Sequence, residues 1–177
     1  MNEKNDYSSL YSMFEILKTV TDKEINNIFK KGYATPGHNG PYQDVETPVR
    51  NTAHYLLAYS NLYKYYEDDK YLKVINRSAD YLMKSINRPN DATFYCRDKD
   101  NKDKSNGLMG QAWVIEALCG AYETLNEKKY LDLAEKVFLL HPFEHGFWKI
   151  VDTDGSVKKI DGTFNHQLWF AAAGTII

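Results

Sequence analysis

The chain has 177 residues, 43% hydrophobic and 26% charged, with a formal net charge of −2, a globular balance with room for one domain and its own core. That charge excludes the basic field expected of a nucleic-acid or acidic-membrane partner. No apolar run approaches the ~20 residues of a membrane span, and the start, MNEKNDYSSL, lacks the apolar core of a signal peptide, so the expectation is a cytoplasmic protein with no membrane partner.

The first predicted element is a helix carrying Leu10, Phe14, Leu17, Val20, Ile25 and Phe29, with a candidate break at Thr21-Asp22. A loop follows from Gly32 to Thr47, broken by Pro36, Gly37, Gly40 and Pro41. From Asn51, the residues Tyr55, Leu56, Tyr59, Leu62, Tyr63 and Tyr66 step with the helical period. After the polar break Glu67-Asp68-Asp69, a return helix carries Val74, Ile75, Ala79 and Leu82. A charged loop spans Pro89 to Asn106. The next helix opens near Gly107 and carries Trp113, Val114, Ala117, Leu118, Ala121, Tyr122 and Leu125. After Asn126-Glu127-Lys128 comes its return helix, with Leu131, Ala134, Val137 and Phe138. The third loop, Pro142 to Phe164, holds FWKIV and SVKKI around Asp152-Thr153-Asp154-Gly155, a β-hairpin signal in which both aspartates read as turn residues. A last helix begins near Phe164.

The two hairpins are copies. At a constant offset of 59, Ala53 matches Ala112, Ala58 matches Ala117, Tyr63 matches Tyr122, and Lys70-Tyr71-Leu72 matches Lys129-Tyr130-Leu131. At an offset of 56, Gln111-Ala112-Trp113 returns as Gln167-Leu168-Trp169. Short breaks force antiparallel neighbours. The expected fold is all-α, a single domain over 1–177 with hairpins at about 51–87 and 107–141, a third starting at about 164, and one small β-hairpin. All three long loops precede the first helix of a copy and so gather at one end. A rigid scaffold with long loops at one end is where a site is built, and helix N-termini there offer free N–H groups and a positive partial charge.

These repeats, with the segments TPVRNTAHYLLAYSNLY, NGLMGQAWVIEAL and HPF…GFW…DGTFNHQLWFAAAG, resemble the six-hairpin (α/α)6 toroid superfamily, and within it a group of bacterial proteins found with surface-polysaccharide and glycan-processing genes. The resemblance covers roughly residues 45 to 177 and implies half of such a toroid. It implies a carbohydrate ligand, and it leaves the reaction open among glycoside hydrolysis, lyase chemistry and sugar epimerisation, since fold alone does not name chemistry.

Candidate site residues are the polar groups that open the inner helices. Arg50, Asn51 and His54 open the first, Asn106 and Gln111 the second, and Asn165, His166 and Gln167 the third, with Trp113 and Trp169 as stacking faces. Asn51, Asn106 and Asn165 read equally as helix caps, and the two tryptophans equally as inter-helix packing. His166 in FNHQLWFAA resembles the inner-helix histidine of N-acylglucosamine and cellobiose 2-epimerases, but Gln167 and Ala172 stand where an acid would follow. A histidine can move protons near neutral pH. Hydrolysis needs paired carboxylates, for which Asp161 and Asp44 are the candidates. His141 and His145 lack zinc-pair spacing, and Cys96 and Cys119 make neither a disulfide framework nor a zinc site, so no metal or cofactor is expected. The absence of an unmistakable acid pair keeps a second class open, a non-catalytic glycan-binding or scaffold protein or an inactive fragment. The chain stops in an apolar helix at Gly174-Thr175-Ile176-Ile177, which reads as truncated. Leu168, Trp169, Phe170, Ile176 and Ile177 are expected on an exposed edge that a homodimer or a missing C-terminal half would cover.

Overall fold

Two turns of the same build set the architecture. The structure, a computed structural model, describes residues 8–39 and 43–177, with the side chains of residues 8–10, 38, 39 and 44 outside the description. Expectations on Gly40, Pro41 and the side chain of Leu10 therefore lie outside the described residues. Helix α2 (Pro48–Tyr66) turns into α3 (Asp69–Leu82), and α4 (Gly107–Leu125) into α5 (Lys128–Leu139). Glu67 and Asn126, the residues closing α2 and α4, both take the left-handed conformation (φ 53° and 56°). Their N–H groups bond back to the Tyr63 and Tyr122 carbonyls, each at 2.8 Å. The left-handed conformation costs a residue such as Glu67 about 1 kcal/mol, while asparagine adopts it more readily. Asp68 then caps α3, its carboxylate accepting from the Lys70 N–H at 2.9 Å.

The N-terminal helix α1 (Ser8–Lys31) runs without a break. Thr21 is buried, and its carbonyl accepts from the Tyr59 hydroxyl at 2.7 Å. The repeat shows which ring α1 belongs to. Tyr71 on α3 and Tyr130 on α5 are equivalent buried residues. The Tyr71 hydroxyl reaches Asp22 on α1 at 3.1 Å, and the Tyr130 hydroxyl reaches Asp80 on α3 at 3.2 Å. Thus α1, α3 and α5 are successive outer helices, and α2, α4 and α6 (Phe164–Gly174) are the inner ones.

Helix α4 is the centre of the packing, against α2, α3, α5 and α6. It buries Leu108, Ala112, Val114, Ile115, Ala117, Leu118, Cys119 and Ala121. The facing layers are Val49, Ala53 and Leu56 of α2, Val74, Ile75, Ala79 and Leu82 of α3, and Ala134 and Val137 of α5. Phe170, expected on the exposed edge, is fully buried: its ring stacks on Phe138 at 4.9 Å and meets Trp148 edge-on at 5.5 Å. Ile177 is half-buried as well. Leu168, Trp169 and Ile176 do stand exposed, at 59%, 44% and 48%. A second exposed apolar edge runs along α1 through Tyr11, Met13, Ile16 and Val20.

The loops carry more strand than expected. A two-residue ribbon pairs β1 (His38–Asn39) with β2 (Asp44–Val45). The expected hairpin forms from β4 (Phe147–Val151) and β5 (Val157–Ile160), closed by Gly155 at φ +80°, and a short β3 (Phe143–Glu144) adds a third strand on its other side. Among the described residues no helix is long and apolar enough to cross a membrane.

Candidate functional site

The three long loops form one connected layer over the inner-helix N-termini. Asp98 N–H bonds to the Val45 carbonyl at 2.8 Å, and Thr47 N–H to the Cys96 carbonyl at 3.2 Å, which joins the first loop to the second. Asp152 joins the second to the third. Its buried carboxylate accepts from the Lys104 and Ser105 N–H groups at 2.8 and 3.1 Å. The residue that the sequence offers as an ordinary turn aspartate is thus a tie between loops.

Each inner helix then clamps its own loop. Gln111 is fully buried: its Oε1 accepts from Phe94 N–H at 2.8 Å, and its Nε2 donates to the Phe94 and Ser105 carbonyls at 3.0 and 2.7 Å. Gln167 does the same one copy later, bonding Trp148 N–H and C=O and the Asp161 carbonyl at 2.9, 2.9 and 2.8 Å. Thr52, the equivalent residue of the first copy, accepts from Ala34 N–H at 3.0 Å. The two glutamines were expected to face a ligand. Their amides are spent on backbone instead, because a loop brought over a helix must have its polar groups satisfied. The loop comes so close that a Cβ at Gly110 would lie 2.3 Å from the Ser105 carbonyl oxygen.

Two residues further along each helix, the same register faces the open side. His54, Trp113 and Trp169 occupy equivalent positions of α2, α4 and α6. The His54 and Trp113 rings lie 5.0 Å apart, and Trp113 and Trp169 meet edge-on at 6.5 Å. Arg50 lies over the Trp113 ring at 4.2 Å and pairs with buried Glu46. Burial lowers the Arg50 pKa, and burial together with the Arg50 charge holds His54 down to about 4, a neutral imidazole at pH 7. At the start of α6, His166 Nδ1 sits 2.9 Å from Asp161 Oδ2. The other Asp161 oxygen accepts from Thr163 N–H at 3.1 Å. A carboxylate at Nδ1 keeps the proton on that nitrogen and leaves Nε2 as the acceptor. Asp161 is buried while the His166 side chain is 36% exposed.

The remaining candidates divide. Asn51 is no cap, since α2 starts at Pro48. Its amide donates to the Thr35 carbonyl at 2.7 Å and holds the first loop. Asn106 takes the left-handed conformation at the start of α4 without a side-chain capping bond, and Asp103 accepts from Gly107 N–H at 2.6 Å in its place. Asn165 is exposed on the first turn of α6. Asp44 lies in β2, its side chain outside the described residues. His141 is buried beside Phe170, its Nδ1 3.0 Å from the Lys149 carbonyl. Among the described residues, no three His, Cys, Asp or Glu side chains converge as a metal site would require. Sequence reasoning missed Glu116, one turn below Trp113, whose Oε1 accepts from the Trp169 indole N–H at 2.7 Å. It sits in mid-helix, away from the loops and the helix starts where the candidates were sought.

No family model matches the chain. Over 168 residues it is 40% identical to archaeal glycosylation protein Q of Haloferax volcanii, covering 94% of this chain and 45% of that protein. It is 27% identical over 136 residues to an unsaturated glucuronyl hydrolase of Formosa agariphila, covering 76% of this chain and 32% of that one. Its fold matches the cellobiose 2-epimerase of Spirochaeta thermophila with a TM-score of 0.60 at 16% identity, over 98% of this chain and 50% of that one. The chain therefore spans half or less of the length of each. The helix hairpins are those of an (α/α)6 toroid.

Proposed function

We propose that the chain builds one wall of a carbohydrate site and serves glycan metabolism, such as the processing of a surface polysaccharide or protein-linked glycan. The observation that carries this reading is the row His54, Trp113 and Trp169, which three helical copies bring into ring contact, half-buried at His54 and Trp113 and exposed at Trp169. Flat aromatic faces with polar groups at their edge suit a pyranose, which has an apolar face and a rim of hydroxyls. The relatives named above give the reading its direction: one is a glycosylation protein and one a glucuronyl hydrolase.

In this reading Arg50, His54 and Asn165 ring the platform with polar groups, and His166 is the proton-transfer group. Asp161 fixes its orientation and leaves Nε2 free to take a proton from a sugar hydroxyl or ring carbon. Gln111, Gln167 and Asn51 act as positioning residues that hold the loops in place. Hydrolase, lyase and epimerase chemistry all need such a proton transfer. A non-catalytic glycan-binding role is favoured by one specific feature: both Asp161 oxygens are engaged, by His166 and by Thr163 N–H. Asp161 is thus committed to His166 and to the start of α6. The exposed edges at α1 and α6 suit a second copy or further hairpins completing the ring. Cytoplasmic residence fits the two unpaired, buried cysteines.

Saturation-transfer NMR with neutral, N-acetylated and uronic acid methyl glycosides tests the site. Ring-proton contacts present with the native chain and absent from Trp113→Ala are expected. Contacts that persist unchanged in Trp113→Ala and Trp169→Ala would overturn it. His166→Ala separates the classes: a catalytic site loses turnover and keeps affinity, whereas a binding site shows no turnover to lose.

A further inference from the structure

We propose that Glu116 is a ligand-contacting carboxyl of this wall, which accepts hydrogen bonds from neighbouring hydroxyls of a sugar lying against Trp113. The inference rests on the carbohydrate reading above and adds to it a residue and a recognition chemistry.

Three observations lead there. The first is register. Glu116 is equivalent to Leu57 at an offset of 59 and to Ala172 at an offset of 56, and so lies on the same helix face as Trp113, one turn deeper. Both equivalent positions are apolar, so the carboxyl stands alone between two apolar neighbours in that row. The second is anchoring. The Trp169 indole N–H donates to Oε1 at 2.7 Å, which ties Glu116 on α4 to the aromatic row on α6. Among the described residues no other hydrogen bond is made by this carboxylate, so Oε2 and a lone pair on Oε1 remain open. The third is space. Glu116 stands at one end of an open hollow of about 260 Å³ whose lining continues along the helices through Ser60, Lys64, Gly120 and Glu123 to Ile176 and does not include Trp113. Gly120 matters there, since a Cβ at that position would come within 3.3 Å of Leu57. Burial raises the Glu116 pKa, opposed by the indole hydrogen bond, so the carboxyl is held in a partly dry setting where each hydrogen bond to a ligand counts more than in water.

A carboxylate with one oxygen fixed and the other open recognises a pair of vicinal hydroxyls, the group a pyranose presents along its rim. Trp113 would carry the apolar face of the ring and Glu116 its inner edge. A structural role alone predicts otherwise. Glutamine keeps an oxygen for the Trp169 indole and the same shape, so Glu116→Gln would leave both fold and binding intact.

The test is isothermal titration of the native chain, Glu116→Gln and Trp169→Phe with methyl β-glucopyranoside, methyl β-glucuronide and N-acetylglucosamine at millimolar concentration. For whichever probe the native chain binds best, Glu116→Gln is expected to weaken affinity about tenfold and Trp169→Phe about fivefold, with unchanged thermal midpoints for Glu116→Gln. Native affinity retained in Glu116→Gln would overturn this inference and leave the aromatic platform standing. No binding of any probe by the native chain would overturn the platform and this inference together.

Discussion

Gln111 and Trp113 stand two residues apart on one helix, as do Gln167 and Trp169 on another, and the two members of each pair do opposite work. Two helical residues are separated by about 200° around the axis, so one side chain enters the packed side while the other faces the open one. The glutamines are spent on loop backbone, and His54 and the tryptophans form a row that is half-buried at His54 and Trp113 and exposed at Trp169. The lesson is that a repeated Gln-x-Trp is two signals of different kinds. The glutamine repeats because each copy must fasten a loop, and the tryptophan repeats because each copy contributes to one surface.

The sharpest way to break that contrast is Gln111→Ala. It strands Phe94 N–H, Phe94 C=O and Ser105 C=O in a buried setting, at about 1–3 kcal/mol for each unsatisfied group, and these do not simply add. We expect a loss of about 3 kcal/mol or more in urea denaturation; a loss below about 1 kcal/mol would mean the clamp is dispensable.

Acid offers the next test, because the same contrast separates two histidines. Burial holds the pKa of His141 and of His54 down to about 4, from an ordinary 6.5. Above pH 6.5 both states are neutral and nothing changes. As the pH falls from 6.5 towards 4, the unfolded chain takes up protons that the folded chain refuses, so stability declines with acid. The buried His141 should contribute a loss of about 2 kcal/mol by pH 5, and the partly open His54 less. Denaturation at pH 7 and pH 5 should find this difference reduced more in His141→Gln than in His54→Gln; an equal reduction in the two variants would erase the distinction between the packed and open sides.

Trp113→Ala should cost least in stability, about 1–2 kcal/mol for a half-buried aromatic, while it removes the proposed platform. A thermal midpoint falling as far as that of Gln111→Ala would make Trp113 a packing residue after all.

Much of the scaffold was legible because the helical period and the offsets of 59 and 56 recur without gaps. The turn at Glu67 and Asn126, the outer tyrosines and the gathering of loops at one end all follow from that repetition. Other features were not legible for identifiable reasons. The strands β1, β2 and β3 are two residues each, too short to carry an alternation. Asp152 has the sequence context of a turn, and only the fold brings Lys104 and Ser105 to it. Phe170 and Trp169 are adjacent and equally apolar, and which of them is buried depends on where Phe138 and Trp148 lie. Glu116 stands in mid-helix rather than at a helix start, and its interest arises from a neighbour 53 residues away.

The central claim, that sugar meets the open row, is tested most directly by indole fluorescence. The chain has three tryptophans, and Trp148 packs apart from the row against Phe138, Phe143 and Phe170. Titration with the best-binding methyl glycoside should change the emission of Trp148→Phe as it does that of the native chain, and should leave the emission of a Trp113→Phe, Trp169→Phe double variant unmoved. A sugar-dependent change that survives in the double variant and vanishes in Trp148→Phe would contradict the account.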